Sequence, residues 1–336
     1  MDVPLLGSRA MLNSATLNSA RSIVRDYVKL EKDEKVLIVT DWTRLSVADV
    51  LSYAVIEVNE SLTTRRELSM SMIAEREYGK EEPPKCVAAA MKVADVVLIP
   101  TKTSLTFTEA VREARSNARI GSMPGVIEQM MIDGGLRADP SDIRDLTEKV
   151  AKVLESAEEY VVTSRNGTNI SFSRGERQVF RDDGDLSGKG KVGNLPAGEA
   201  CMPIIENSAK GRLVIDRLGK IVTNGVELKV EDGRIVEVIG PDARRFKGLL
   251  DSARGAGYST PNIVAEFGIG TNSAAKYVEV EMEAEKMYGT VHFGIGGNAT
   301  IPGGQSAIPF HHDGMIFDAK LELGGKLFLD GRKFYF

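Results

Sequence analysis

The sequence predicts an N-terminal α/β domain with a mostly parallel sheet, followed by a β-rich α+β domain. In the first half, short β-branched runs alternate with segments of helical periodicity, which is the pattern of a doubly wound sheet. In the second half, short strands separated by turn residues predominate. We place the boundary near residue 155, so the predicted domains are residues 1–155 and 156–336.

The predicted elements of the first half are helices with apolar residues at helical spacing and short apolar strands. The clearest strand is residues 94–100, because a continuous apolar run ends there at a proline. Ser46 can cap the helix that follows it. The predicted helices cover about residues 14–32, 46–58, 84–93, 108–117, 126–131 and 140–156, and the predicted strands about 35–40, 63–70, 94–100 and 118–122.

The second half is organised by turn signals. Asn166-Gly167 and Asp232-Gly233 each favour a hairpin between the apolar runs on either side. The polar, glycine-rich residues 181–193 are predicted to form a loop. The other predicted elements are a strand at 211–216, a helix at 242–255 and a meander over 315–336.

Bulk composition excludes several classes of protein. The chain has 336 residues and a net charge of -5, which argues against a broad nucleic-acid interface. No run approaches the length of a membrane span, and the first residues lack the basic and apolar regions of a secretory leader. Cys86 and Cys201 lie far apart, which is typical of reduced thiols rather than of a zinc pair. We therefore expect a cytoplasmic protein without nucleic-acid or membrane partners.

All three histidines of the chain fall in one short stretch: His292, His311 and His312. On an extended strand the side chains of His311 and Asp313 point to the same face. An imidazole beside a carboxylate is what a divalent cation requires from one strand end. The alternative is that these are structural histidines of a glycine-rich region.

Two acids of the second half lie in unusual surroundings. Glu199 follows a Pro/Gly turn, and Glu266 lies within an apolar run followed by glycines. A carboxylate in such a run is either exposed on an edge or buried with a partner. With His292, His311 and Asp313, these acids form a donor set rich in oxygen and without a thiolate.

This donor set suits zinc, cobalt, manganese or iron. Two ions that share a carboxylate would use all five residues, as in two-metal hydrolases. Alternatively, two histidines and one carboxylate hold a single iron, as in non-haem oxygenases.

Several motifs resemble, in order and spacing, those of the aminopeptidase T family of metallo-aminopeptidases. Its superfamily also includes the iron-dependent dihydroxypyridine dioxygenases. The resemblance covers most of the chain. The motifs are TSLTFTEAVREA at 103–114, SMPGVIEQMM at 122–131, NLPAGE at 194–199, AEFGIGTN at 265–272, GTVHFGIG at 289–296 and HHDGMIFD at 311–318.

The resemblance implies a homodimer whose β-rich second domain binds the metals. It places the metal ligands at Glu199, Glu266, His292, His311 and Asp313, with His312 between the last two and not a ligand. This chain departs from the peptidase pattern at two positions. The nearest acid before the first histidine is Glu285, and Ala299 stands where the peptidases have a tyrosine.

We therefore expect a cytoplasmic metallo-aminopeptidase, a hydrolase that acts on small peptides with two ions of zinc, cobalt or manganese per chain. Glu285 is the predicted general base, with Glu199 as the other candidate. The rival hypothesis is a ring-cleaving dioxygenase of the 2,5-dihydroxypyridine type with one iron. A third is a metal-free binding protein.

Overall fold

The computed structural model describes residues 13–61, 67–76, 81–308 and 310–336. The chain divides into two compact units. One comprises the residues up to 144 together with 183–197, and the other comprises 145–182 and 198–336. The predicted domain bounds, 1–155 and 156–336, stay a prediction.

The first unit is built on a five-stranded sheet in the order β2-β1-β3-β4-β8, in which every pair is parallel. Its central strands are completely buried, as expected for a sheet covered on both faces. The α/β prediction for this part of the chain is confirmed. The strands are β1 Val36–Asp41, β2 Leu68–Ile73, β3 Val96–Thr101, β4 Arg119–Pro124 and β8 Val192–Asn194.

The helices of the first unit lie between its strands. Asn13 caps α1 by accepting hydrogen bonds from two backbone N–H groups, and Thr108 caps α4. The predicted strand at 63–70 falls partly on residues 62–66, which lie outside the described residues. The helices are α1 Ser14–Ser22, α2 Leu45–Ser61, α3 Lys85–Val93, α4 Glu109–Ala114 and α5 Glu128–Asp133, and α6 Pro140–Glu155 contains the division between the units.

The predicted loop at 181–193 is only partly a loop. Strand β7, Phe180–Asp182, includes its first residues, and β8 begins at its end. Residues Ile120 to Ser122 of β4 pair with β8 in parallel register. A three-residue strand in a polar, glycine-rich segment has too few side chains to show periodicity, so the sequence pattern does not reveal it.

The second unit contains two sheets. One has eight strands in the order β12-β11-β10-β6-β5-β16-β17-β18, and the other has five in the order β15-β14-β13-β9-β7. All described pairs in both are antiparallel, so the prediction of a β-rich second part is confirmed. The remaining elements are β5 Glu159–Ser164, β6 Asn169–Ser173, β9 Glu199–Pro203, β10 Lys210–Ile215, β11 Val226–Glu231, β12 Arg234–Ile239, α7 Ala243–Gly255, β13 Val264–Gly270, α8 Glu281–Ala284, β14 Val291–Gly296, β15 His311–Ile316, β16 Ala319–Leu323, β17 Lys326–Asp330 and β18 Lys333–Phe334.

Aromatic side chains from both sheets meet in the core of the second unit. Phe172 of the eight-stranded sheet lies 4.9 Å from Phe267 and 5.4 Å from Phe293 of the five-stranded sheet, measured between ring centroids. Tyr160 stacks on Phe172 at 5.2 Å. Such contacts stabilise beyond the area they bury, so this cluster fixes the face that the five-stranded sheet turns to the core.

Among the helices of the described residues, none is long and apolar enough to cross a bilayer. The expectations of a homodimer and of no nucleic-acid partner stay predictions.

Replacing Phe172 with alanine should lower the free energy of unfolding by about 3–5 kcal/mol, because it removes the ring that contacts both sheets and leaves a cavity. Urea unfolding followed by circular dichroism measures the change. Val236→Ala is the matched control, since Val236 is 53% exposed, and it should change stability by less than about 0.5 kcal/mol. Equal effects of the two substitutions would contradict this account of the core.

Candidate metal centre

The second unit's five-stranded sheet, β15-β14-β13-β9-β7, carries on one face all five donors that the sequence predicts. Because side chains alternate along a strand, Phe267 and Phe293 point into the core while their neighbours Glu266 and His292 point to the other face. Strand β15 adds two residues to that face, spaced two apart. The donors are Glu199 on β9, Glu266 on β13, His292 on β14, and His311 and Asp313 on β15.

Glycines stand next to these donors on the neighbouring strands. Asp313 pairs with Gly294, which in turn pairs with Glu266, and His292 pairs with Gly268. A Cβ atom at Gly294 would lie 2.5 Å from Cε1 of His311, and one at Gly268 would lie 2.2 Å from Nε2 of His292. The glycines therefore leave the space that the imidazoles occupy.

The donors form two overlapping groups that share one carboxylate. In the first, Glu199, Glu266 and His292 offer ligand atoms within 4.8 Å of one another. In the second, Glu266, His311 and Asp313 do the same. Glu266 is central: its Oε2 lies 3.1 Å from Nε2 of His311, and its Oε1 lies 3.9 Å from Nε2 of His292.

Two imidazole–carboxylate distances match the spacing of ligands around one ion. Oε2 of Glu199 lies 3.2 Å from Nε2 of His292, yet it accepts no hydrogen bond from any described residue. Nε2 of His311 lies 3.2 Å from Oδ1 of Asp313. Ligands around one ion with bonds of about 2.1 Å are separated by about 3 Å, so the two groups could each hold a metal ion.

The tautomer of His311 also suits a metal. Its Nδ1 donates a hydrogen bond of 2.6 Å to the carbonyl oxygen of Gly297, which can only accept. In the neutral imidazole Nε2 is then unprotonated, with its lone pair directed toward Glu266 and Asp313. His292 lacks this support, because its Nδ1 has no hydrogen-bond partner among the described residues.

The electrostatics of the centre favour a cation. Burial by itself would lower the pKa of His292 and His311, but the surrounding carboxylates raise both well above the usual value. Burial would raise the pKa of Glu266, yet the two imidazoles lower it to about 2. Asp313 has a lowered pKa for the same reason, since the attraction of His311 outweighs its burial. The acids stay ionised and require positive charge beside them.

Lys286 is the site residue that the sequence does not reveal. It is completely buried, and its Nζ lies 2.9 Å from Asp182, 2.5 Å from Glu199 and 2.9 Å from Glu285. These carboxylates raise the pKa of Lys286 well above its usual value although burial opposes this. A single lysine after a short acidic segment is typical of a solvated surface, so no pattern distinguishes it.

Glu285 lies close to the donors but contacts Lys286. It is buried, and burial raises its pKa well above the usual value even beside the ammonium. Its Oε1 lies 2.9 Å from Nζ of Lys286. Its placement is therefore that of a group that holds Lys286 beside the donors.

His312 points away from the other donors. It lies between His311 and Asp313 on β15, so its side chain occupies the opposite face. There its Nδ1 lies 3.4 Å from both carboxylate oxygens of Glu281. The structure does not bring His312 into the centre.

Comparison with solved structures finds the same fold in two other proteins. A 2,5-dihydroxypyridine dioxygenase from Pseudomonas putida KT2440 superposes with a TM-score of 0.74 at 16% identity, over 95% of this chain and 96% of that one. AmpT from Thermus thermophilus superposes with a TM-score of 0.68 at 12% identity, over 96% and 99%. A comparison with curated protein sequences gives no match. At these identities the likeness establishes the fold alone, and the superfamily resemblance is confirmed only with the family match over residues 23–334.

The family comparison corrects the predicted reaction. Residues 23–334 match the family described as NicX: 2,5-dihydroxypyridine 5,6-dioxygenase. The prediction of a metallo-aminopeptidase, a hydrolase of the metalloprotease class, is therefore wrong. Metal-binding motifs common to the superfamily suggested it, and such motifs do not determine which reaction a centre performs. The chain belongs to the NicX 2,5-dihydroxypyridine 5,6-dioxygenase family.

Proposed function

We propose that this protein is a non-haem iron dioxygenase that opens the ring of a dihydroxylated pyridine. The observation that carries the proposal is the family match over residues 23–334, which includes every donor of the metal centre. The donor set supports it, because imidazole and carboxylate ligands without thiolate suit Fe²⁺.

We assign the iron to His292, His311 and Asp313, two imidazoles and one carboxylate, which is the ligand type of non-haem iron oxygenases. His292 belongs to one donor group and His311 with Asp313 to the other, so this assignment places the iron beside Glu266, which both groups share. Glu266 lies between the imidazoles and is available as a fourth donor. One carboxylate oxygen of Glu199 contacts the ammonium of Lys286, and the other faces His292. We therefore assign Glu199 the role of positioning these two side chains. In this proposal one iron replaces the two ions of zinc, cobalt or manganese expected from the sequence.

When bound, iron supplies the one-electron chemistry that lets O₂ react with an electron-rich aromatic ring. The reaction needs no external reductant. Both oxygen atoms of O₂ enter the product, and the ring bond between C5 and C6 breaks. Substrate and O₂ together supply every atom and electron of the product.

The residues of the chain position the reacting groups and exclude water. Hydrogen bonding to the carbonyl oxygen of Gly297 fixes the ring of His311. The side chains of Glu266 and His292 are almost completely buried, whereas that of His311 is 31% exposed. We therefore expect a planar substrate to reach the centre from the side of His311. The burial of Glu266 and His292 excludes water from the rest of the centre.

Purified protein loaded anaerobically with Fe²⁺ should consume O₂ and 2,5-dihydroxypyridine in equal amounts. With ¹⁸O₂, mass spectrometry should find both labelled atoms in the ring-opened product. An oxygen electrode and the loss of the aromatic absorbance follow the reaction. No oxygen uptake across a panel of dihydroxylated pyridines and catechols would refute the proposed function.

Replacing His311 and His312 one at a time with alanine should show which of the two binds iron. We expect His311→Ala to weaken iron binding more than about 100-fold. Losing even a residue that hydrogen-bonds to a metal ligand lowers metal affinity about 10- to 100-fold. His312→Ala is the matched control and should keep the iron, because His312 points to Glu281. Iron content after gel filtration measures both. Iron retained by His311→Ala would contradict the assignment.

Gly294→Ala should weaken iron binding about 10- to 100-fold, because the added methyl group forces the ring of His311 and the side chain of Glu266 to move. Gly255→Ala is the control, since a Cβ there meets no atom within 4 Å. Isothermal titration of the metal-free proteins with Fe²⁺ gives the two affinities. Equal affinities would show that the space beside Gly294 is not required.

A further inference from the structure

Lys286 is held by carboxylates from three separate segments. Asp182 lies on β7 and Glu199 on β9, whereas Glu285 directly precedes the lysine after α8. Each places an oxygen within 2.9 Å of Nζ. Glu199 accepts a hydrogen bond from this ammonium, and Asp182 and Glu285 form ion pairs with it.

The two strand carboxylates require a cation between them. Asp182 and Glu199 are directly paired residues of neighbouring antiparallel strands, and both are buried. Like charges at directly opposed positions repel each other, and burial strengthens the repulsion. The ammonium, 2.9 Å from one carboxylate and 2.5 Å from the other, offsets this repulsion.

The backbone brings Lys286 to this place through a glycine. Gly270 on β13 pairs with Glu199, and residues 286–287 pass directly over it. A Cβ atom at Gly270 would lie 2.1 Å from the carbonyl oxygen of Met287. The segment is also fixed by a hydrogen bond of 2.9 Å from the N–H of Asn272 to the carbonyl oxygen of Lys286. The backbone of Lys286 is therefore fixed beside the centre.

We propose that the ammonium of Lys286 takes the place of a second divalent cation and so limits this centre to one metal ion. Glu199 links the two positions, because Oε1 contacts Lys286 and Oε2 faces His292. A second ion would have to displace a cation that three carboxylates hold. Lys286 is thus a positioning residue, and the inference rests on the proposed metal centre but not on the identity of the substrate.

The test counts metal ions in the full-length chain. Chelator-treated protein is loaded with excess Mn²⁺ or Zn²⁺, gel-filtered and analysed for metal per chain. Wild type should retain one ion. Lys286→Met keeps the length of the side chain but removes its charge, and it should retain two ions. Mn²⁺-loaded Lys286→Met should show the electron paramagnetic resonance signal of a coupled pair, whereas wild type should show an isolated ion.

Two further variants control for charge and folding. Lys286→Arg retains the positive charge and should bind one ion. Lys220→Met removes a lysine whose side chain is 81% exposed, so it should also bind one ion. If Lys286→Met unfolds without metal, its melting temperature should rise with Zn²⁺ beyond the saturation of a single site.

Two ions in the wild-type chain, or one ion in a folded Lys286→Met variant, would overturn the inference. Because Mn²⁺ and Zn²⁺ counting needs no turnover, this result is independent of the ring-cleavage assay. One ion without oxygenase activity would keep the inference and refute the proposed function. Two ions together with oxygenase activity would refute the inference and keep the proposed function.

Discussion

The constraint on which the second unit depends is the burial of several carboxylates on one face of a sheet. An ionised carboxylate without a partner in a protein interior is very costly, so each must be offset by positive charge or hydrogen bonds. Lys286 neutralises one side of the cluster, and the two imidazoles lie beside the carboxylates of the other. The glycines of β13 and β14 follow from the same constraint, because the compensating groups need room beside the acids.

Much of the fold and part of the centre could be predicted from the sequence. Alternation along a strand placed His311 and Asp313 on one face, and the motifs identified Glu199 and Glu266 as their companions. The register that pairs Asp313 with Gly294 and Glu266 could not be predicted. It arises from contacts between segments far apart in the chain. Lys286 was missed for the same reason, since only the folded sheet shows that a lysine reaches three acids.

The reaction could not be predicted from the donors. Carboxylates and imidazoles serve hydrolases and oxygenases alike, and the outcome depends on which ion binds, how many bind and what surrounds them. In this chain the departures from the peptidase pattern lie beside the donors, at Glu285 and Ala299, rather than among them. The neighbours of a metal ligand therefore carry information that the ligand itself does not.

The late position of β8 affects how the protein is made. This strand covers the open edge of β4, but the chain reaches it only after α6 and strands β5 to β7 have been synthesised. Until then the nascent first unit presents an uncovered parallel edge, and such edges recruit other chains. The β4 edge is thus prone to aggregation during translation, and chaperones that shield strand edges would act at that stage.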